Sequence, residues 1–221
     1  MTEDLPASGS PTVETARLEA FSDGVFAVAI TLLAIELKVP LPGDSHGGHG
    51  LAAALLDEWP VYLAYALSFL SILIVWVNHH HLFLLIRRTD HVFLLLNGFL
   101  LMVVTAIPFA TQLLATYLAT PDNRVAEVVY SGAYLLVATT FYALWGYASH
   151  GKRLIDPGMD TRVRRRISGQ FRMGPIAYLL AFSLAFFSAQ ASLVLCAALA
   201  VFFALPITVT RALAPADHAV E

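Results

Sequence analysis

The chain is 221 residues long, 58% hydrophobic and only 13% charged, with a mean hydropathy of +0.70. Soluble domains carry about a quarter of their residues as charges, so composition excludes an ordinary water-soluble domain and implies several membrane spans. The formal net charge of −3 says little about partners, and a single cysteine, Cys196, excludes an internal disulfide.

Residues 1–16 are rich in Ser, Thr, Pro and acidic side chains and lack the positive start of a signal peptide, which predicts a disordered cytoplasmic tail. The first apolar run covers 18–39, where Pro40 and Pro42 stop the helix. A Gly/His-rich loop over 43–50 and a short amphipathic piece ending at Glu58 follow. The second run, 59–86, has no formal charge and at about 42 Å exceeds a hydrocarbon core of about 30 Å. The third, 91–118, holds Pro108, where a kink is expected. The fourth, 128–149, gathers Tyr and Trp toward its end as interfacial segments do. The stretch 173–210 is thirty-eight residues without a charge, about 57 Å as one helix. It must fold back, and the polar patch of Ser188, Gln190 and Ser192 is the expected turn. The fold class predicted is therefore an all-α integral membrane protein with six transmembrane helices per chain over 17–213, followed by a short C-terminal tail over 214–221.

Basic residues orient it. Arg17, Arg87, Arg88, Lys152, Arg153, Arg162, Arg164, Arg165, Arg166, Arg172 and Arg211 fall on the side of the termini, and only Lys38 and Arg124 fall opposite. The positive-inside rule then puts both termini in the cytoplasm of a multi-pass cell-membrane protein. The cluster Arg162, Arg164, Arg165, Arg166 invites a nucleic-acid or anionic-lipid reading, but a basic loop beside a membrane helix is more commonly a topology determinant; no nucleic-acid partner is expected.

Asp23 stands one turn into the first apolar run, where a carboxylate needs a partner. Two readings stay open: pairing with another span, or a helix start capped by Ser22 with Asp23 complementing the helix dipole. Beyond it Gly24, Val28, Thr31 and Ile35 share one helical face. As a plain packing face it would have the Thr31 hydroxyl bonded back to the carbonyl of Ala27. The second run ends with Trp76, Asn78, His79, His80 and His81. Adjacent helical residues are rotated by about 100°, so three consecutive histidines cannot ligate one metal from one face, and a hydrogen-bonding cluster is expected instead. His46 and His49 in the first loop do not make a metal site either. By topology the Asp23 end of the first span and the histidine end of the second lie on the same side.

Arg17, Phe21, Ser22, Asp23 and Gly24, followed by Ala-Ile-Thr-Leu-Leu and later by Trp76, Asn78, His79 and His80, resemble the endolysosomal and prokaryotic potassium channel family with the Phe-Ser-Asp signature on its first transmembrane helix. A single six-span unit looks like the prokaryotic form. The resemblance implies a homotetramer with a central pore lined by the first helices. It implies a leak-like channel selective for potassium over sodium, with membrane lipid and further copies of the chain as partners. The permeant potassium ion takes the place of any cofactor, and no metal or catalytic group is implied. The family's constricting positions fall on Val28, Thr31 and Ile35, the face already picked out by periodicity. Where the family commonly has Ile or Leu at the first position this chain has Val28, which implies a wider ring. Arg17, Ser22 and Asp23 would pair with Trp76 and one of His79 or His80, supporting the pore helix. No Thr-Val-Gly-Tyr-Gly filter is present; the nearest string, Trp145-Gly146-Tyr147-Ala148, lacks its residues.

Two other classes fit less well. A secondary transporter would show internal repeats and paired interrupted helices, and only Pro108 and Pro206 offer breaks. An enzyme would need a nucleophile or metal constellation, for which only the histidine run supplies candidates.

Overall fold

The computed structural model describes residues 11–40 and 50–204, and within them the chain is all helical. Seven α-helices follow one another: α1 Pro11–Leu33, α2 Leu51–Asp57, α3 Trp59–Leu85, α4 His91–Tyr117, α5 Asn123–Ser149, α6 Thr161–Ala185 and α7 Ala189–Ala204. Short 3-10 turns at Ala34–Glu36 and His150–Lys152 extend α1 and α5. The tail before Pro11, the Gly/His-rich loop with His46 and His49, the end of the last apolar stretch, Arg211 and the tail over 214–221 lie outside the described residues.

Among the described residues three helices are long and apolar enough to cross a bilayer: α3, α4, and α5 with its 3-10 extension. α3 and α4 begin where the sequence places them. Pro60 sits in the first turn of α3, where its missing N–H is no loss. Asp90 caps α4, its side chain accepting from the Phe93 N–H at 2.9 Å. α4 continues through Pro108.

Other boundaries differ from expectation. α1 starts at Pro11, so 11–16 belong to a helix rather than to the predicted tail; a proline at the first helical position is preset for that start. The same helix ends at Leu33 and its 3-10 turn at Glu36, short of residue 39. Proline disfavours helical backbone only at the residue before it, so Pro40 restricts Val39 and does not account for the earlier end at Leu33. α5 starts at Asn123, just past Pro121, and carries Arg124 and Glu127 inside the helix. Arg162 to Arg166 were expected in a loop and instead form the first turns of α6, whose start is capped by Asp160 accepting from the Arg162 N–H at 2.7 Å. The fold-back comes at Phe186 to Ser188, leaving Gln190 and Ser192 inside α7.

α5 packs against α4, α6 and α7; α3 packs against α1, α4 and α7; α1 rests on α3 and α4. The interior is filled by Trp145, Tyr130, Tyr134, Phe26 and Phe93, all fully or almost fully buried. The outside keeps large apolar residues such as Leu95, Met102, Phe109, Leu180 and Val194. Lipid tails are as apolar as leucine, so such a surface is suited to a bilayer, and helix association there depends on close packing and on buried hydrogen bonds. One of those joins three helices: Thr111 on α4 donates to Ser68 on α3 at 2.7 Å, and Ser68 donates to the Tyr130 hydroxyl on α5 at 3.2 Å.

Candidate functional site

α1 has two faces. Ser22, Phe26, Ala29 and Leu33 recur at helical spacing and are buried to 1% exposure or less against α3 and α4. Gly24, Val28, Thr31 and Ile35 lie opposite them and face away from the rest of the chain. Val28 is 54% and Ile35 69% exposed. Ile35 belongs to the 3-10 turn rather than to α1 itself, so its direction is set by the tighter winding there. The Thr31 hydroxyl donates back to the carbonyls of Ala27 at 3.0 Å and Val28 at 2.9 Å. That uses its single proton and leaves an oxygen with free lone pairs on the outer surface.

Behind this face a set of polar contacts fastens α1. Asp23 is partly buried and accepts from the Trp76 indole N–H at 2.8 Å. Ser22 is eleven residues into the helix and caps nothing; its hydroxyl donates to the Leu18 carbonyl at 2.8 Å. Asn97 on α4 donates its amide N–H to the Ser22 oxygen at 3.0 Å, and its amide oxygen lies 2.9 Å from His79 Nε2. The directions are mutually consistent only if His79 carries its proton on Nε2. His79 Nδ1 has no hydrogen-bond partner, which agrees with a neutral imidazole whose other nitrogen is a bare lone pair. Phe26 and Phe83 pack on the His79 ring, with centroids 5.2 and 4.5 Å away.

His80 reaches α1 by a different route, its Nδ1 lying 2.9 Å from the Glu19 carboxylate on a half-exposed surface. Asn78 turns back to the Ile74 carbonyl at 3.0 Å and does not join α1. Arg17 and Phe21 are exposed, and among the described residues Arg17 makes no hydrogen bond or ion pair with Trp76, His79 or His80. The arrangement thus brings Ser22, Asp23, Trp76, His79 and His80 together and leaves Arg17, Phe21 and Asn78 outside. Among the described residues no three His, Cys, Asp or Glu side chains gather as a metal site requires.

Sequence reasoning missed two participants, and one buried carboxylate elsewhere in the bundle. Asn97 is the central bridge, and its signal was that of a lone amide in an uncharged span. Glu19 sits between the motif positions that drew notice. Glu127, fully buried in α5, accepts from Ser192 at 2.7 Å and lies 3.8 Å from the Cys196 sulfur on α7, while its Oε2 has no partner.

This geometry can be set beside known proteins. Residues 17–108, which contain the whole α1 anchor, match the family model described as the endosomal/lysosomal potassium channel TMEM175. A potassium channel of Chamaesiphon minutus is 50% identical over 192 residues, covering 87% of this chain and 94% of that one. The chain belongs to the TMEM175 family. A second member, a potassium channel of Streptomyces collinus, is 42% identical over 91% of this chain and 98% of its own length. The crystal structure of a lysosomal potassium-selective TMEM175 homolog from Chamaesiphon minutus superposes with a TM-score of 0.79 at 47% identity, covering 91% of this chain and 99% of the other. The bovine TMEM175, named an endosomal/lysosomal proton channel, is 34% identical over 76% of this chain, which spans only 37% of it. These TMEM175-family relatives are ion channels and not enzymes.

Proposed function

We propose that this TMEM175-family chain is a potassium-selective, leak-like channel of the cell membrane, a homotetramer of six-span subunits with both termini in the cytoplasm. Four α1 helices line the pore. The supporting observation is the outward face of α1: Val28, Thr31 and Ile35 have no cover from the described residues of their own chain, while the opposite face is held by buried hydrogen bonds. A helix this well anchored from behind, with an apolar and hydroxyl front left open, suits a wall that other copies complete.

Around a fourfold axis Val28 and Ile35 make apolar rings and Thr31 a ring of hydroxyl oxygens between them. An apolar ring strips part of the hydration shell from a passing ion, which costs less for a large, weakly hydrated cation than for a small one. The Thr31 protons are tied to the backbone, so the lone pairs are free to replace lost water. Potassium passes more easily than sodium without a carbonyl filter. Ser22, Asp23, Trp76, His79 and Asn97 touch no ion and set the position of the rings.

The test is planar-bilayer recording of the purified protein under opposed potassium and sodium gradients. A reversal potential near that of potassium is expected, moving toward zero in Thr31→Ala and in Val28→Asn. If both variants keep the parent's permeability ratio, the rings do not select. Turnover at transporter rates, with a coupled solute, would instead favour a secondary transporter.

A further inference from the structure

Between α5 and α6, at the end of the bundle that also carries Arg87 and Arg153, lies a basic cleft of about 300 Å³ lined by Tyr142, Arg164, Arg165, Ser168, Gly169 and Arg172. Among the described residues no acidic side chain pairs with its arginines, and residues 161–216 contain no Asp or Glu. The ion pairs found among the described residues use Arg87, Arg153 and His80 instead. Arg164 is tied to the Ser149 carbonyl at 3.1 Å, closing the end of α5, whereas Arg165 and Arg172 are exposed, about two turns apart on one face.

Ser168 singles out the cleft. Of the other serines inside helices, Ser22, Ser71, Ser131 and Ser183 return their proton to the carbonyl four residues back, and Ser68 and Ser192 give theirs to a side chain of a neighbouring helix. Ser168 does neither. Its oxygen accepts from the buried Trp145 indole at 2.8 Å, which holds the hydroxyl in place and leaves its proton, without an acceptor among the described residues, for whatever fills the cleft. A free hydroxyl donor, two guanidinium groups without an ion-pair partner among the described residues and the Tyr142 phenol around one space call for an oxyanion, and guanidinium matches phosphate best. Gly169 keeps the floor open, since a Cβ there would meet no atom within 4 Å.

We infer that this cleft binds a phosphate group, and that in the membrane the phosphate is the headgroup of an anionic lipid. The wall supports the lipid source. α6 continues from the cleft into apolar, outward-facing Met173, Ile176, Leu179 and Leu180, along which acyl chains can lie while the headgroup stays at the basic end. Basic pockets between helices near a membrane surface favour such headgroups over neutral ones. The inference does not depend on ion conduction.

Native mass spectrometry of the full chain in detergent tests it, with dioleoyl phosphatidylglycerol, dioleoyl phosphatidylcholine and inorganic phosphate as probes. Phosphatidylglycerol should be retained in preference to phosphatidylcholine, and inorganic phosphate at equal concentration should not displace it. The Arg165→Gln/Arg172→Gln pair should lose retention by roughly tenfold or more, and Ser168→Ala by a few-fold. Gly169→Leu, which fills open space without touching an arginine, should abolish the preference while leaving the unfolding temperature near that of the parent. Equal retention of both lipids by the parent, or unchanged retention in all three variants, overturns the site. Displacement by inorganic phosphate at equal concentration overturns the lipid assignment.

Discussion

Asn97 carries more of the α1 anchor than any residue of the signature, because it serves two helices at once. Its replacement by Leu leaves the Ser22 oxygen without its donor and His79 Nε2–H without an acceptor, in a ring whose Nδ1 is already unpartnered. An unmade buried hydrogen bond costs about 1–3 kcal/mol, although individual bonds within membrane bundles average nearer 0.6 kcal/mol. Two lost partners should therefore destabilise Asn97→Leu by about 1–3 kcal/mol, seen as a lower midpoint when the detergent-solubilised protein is unfolded by heat. The His80–Glu19 contact is the control. It lies on a half-exposed surface, where such pairs contribute about 0.2–1 kcal/mol, so Glu19→Gln should barely shift that midpoint. If Glu19→Gln costs as much as Asn97→Leu, burial does not decide which contact holds α1. The sequence disclosed half of this network. Asp23 was legible as a carboxylate in an apolar run that wants a partner, with capping left open beside pairing, and its pairing with Trp76 was implied by the family resemblance. The choice of His79 over His80 for the buried position was not legible, because adjacent residues differ by about 100° in direction and only the packing of α4 decides which turns inward.

Between α3 and α4 the chain reverses in a few residues, and Asp90 fixes the reversal. Besides accepting from Phe93, its carboxylate accepts from the Tyr147 hydroxyl at 2.7 Å and lies 3.6 Å from Arg153, whose guanidinium sits over the Tyr147 ring. Partial desolvation pushes the pKa up, but the Tyr147 and backbone hydrogen bonds and the Arg153 charge outweigh it and hold the carboxyl below its ordinary value of 3.8. A depressed folded-state pKa stabilises the protein above the unfolded value, and that contribution disappears as pH falls through the folded value. Asp90→Ala should therefore be less stable than the parent at pH 7 by about 1 kcal/mol, the usual size of a lost cap. The gap should narrow toward pH 3. Asp90→Asn keeps the cap, loses the charge and should fall between them; thermal unfolding at the two pH values reads all three. An undiminished gap at pH 3 would mean that the carboxylate's charge plays no part. The same local chemistry explains which helix ends were readable. α3 and α4 start at a proline-bearing turn and an aspartate cap, signals carried by the residues themselves. The start of α5 was misplaced because Arg124 and Glu127 read as loop residues, whereas Ser192 and Cys196 on α7 cover Glu127 and make it an interior residue. Likewise Arg162 to Arg166 looked like a loop because charge was weighed above helix propensity, although Arg is among the better helix formers.

At the scale of the whole molecule, the composition marks the chain as a membrane protein built from helices, and the proposed pore requires further copies of it. The packing leaves α1 at the margin of the bundle, resting on α3 and α4, with Val28 and Ile35 open on its far side. Two environments suit such a face: lipid, or the same face of other subunits about a symmetry axis. They differ in what a cysteine would meet there. Cys196 is buried, and replacing it by Ala gives a background without thiols. In that background Val28→Cys, placed in a ring narrow enough to dehydrate an ion, brings sulfurs of neighbouring subunits within reach of copper-catalysed oxidation or a short bis-maleimide, since a disulfide needs Cβ atoms only about 3.5–4.5 Å apart. Val194→Cys is equally accessible, at 68% exposure, and lies on α7, which packs against α3, α5 and α6 rather than α1. Each subunit then offers one thiol, so the expected outcome is covalently paired subunits for Val28→Cys with either reagent, and monomer for Val194→Cys. Cross-linking at 194 without cross-linking at 28 would put α7 at the subunit contact and leave α1 facing lipid, in which case Thr31 meets no ion and the selectivity argument loses its geometry.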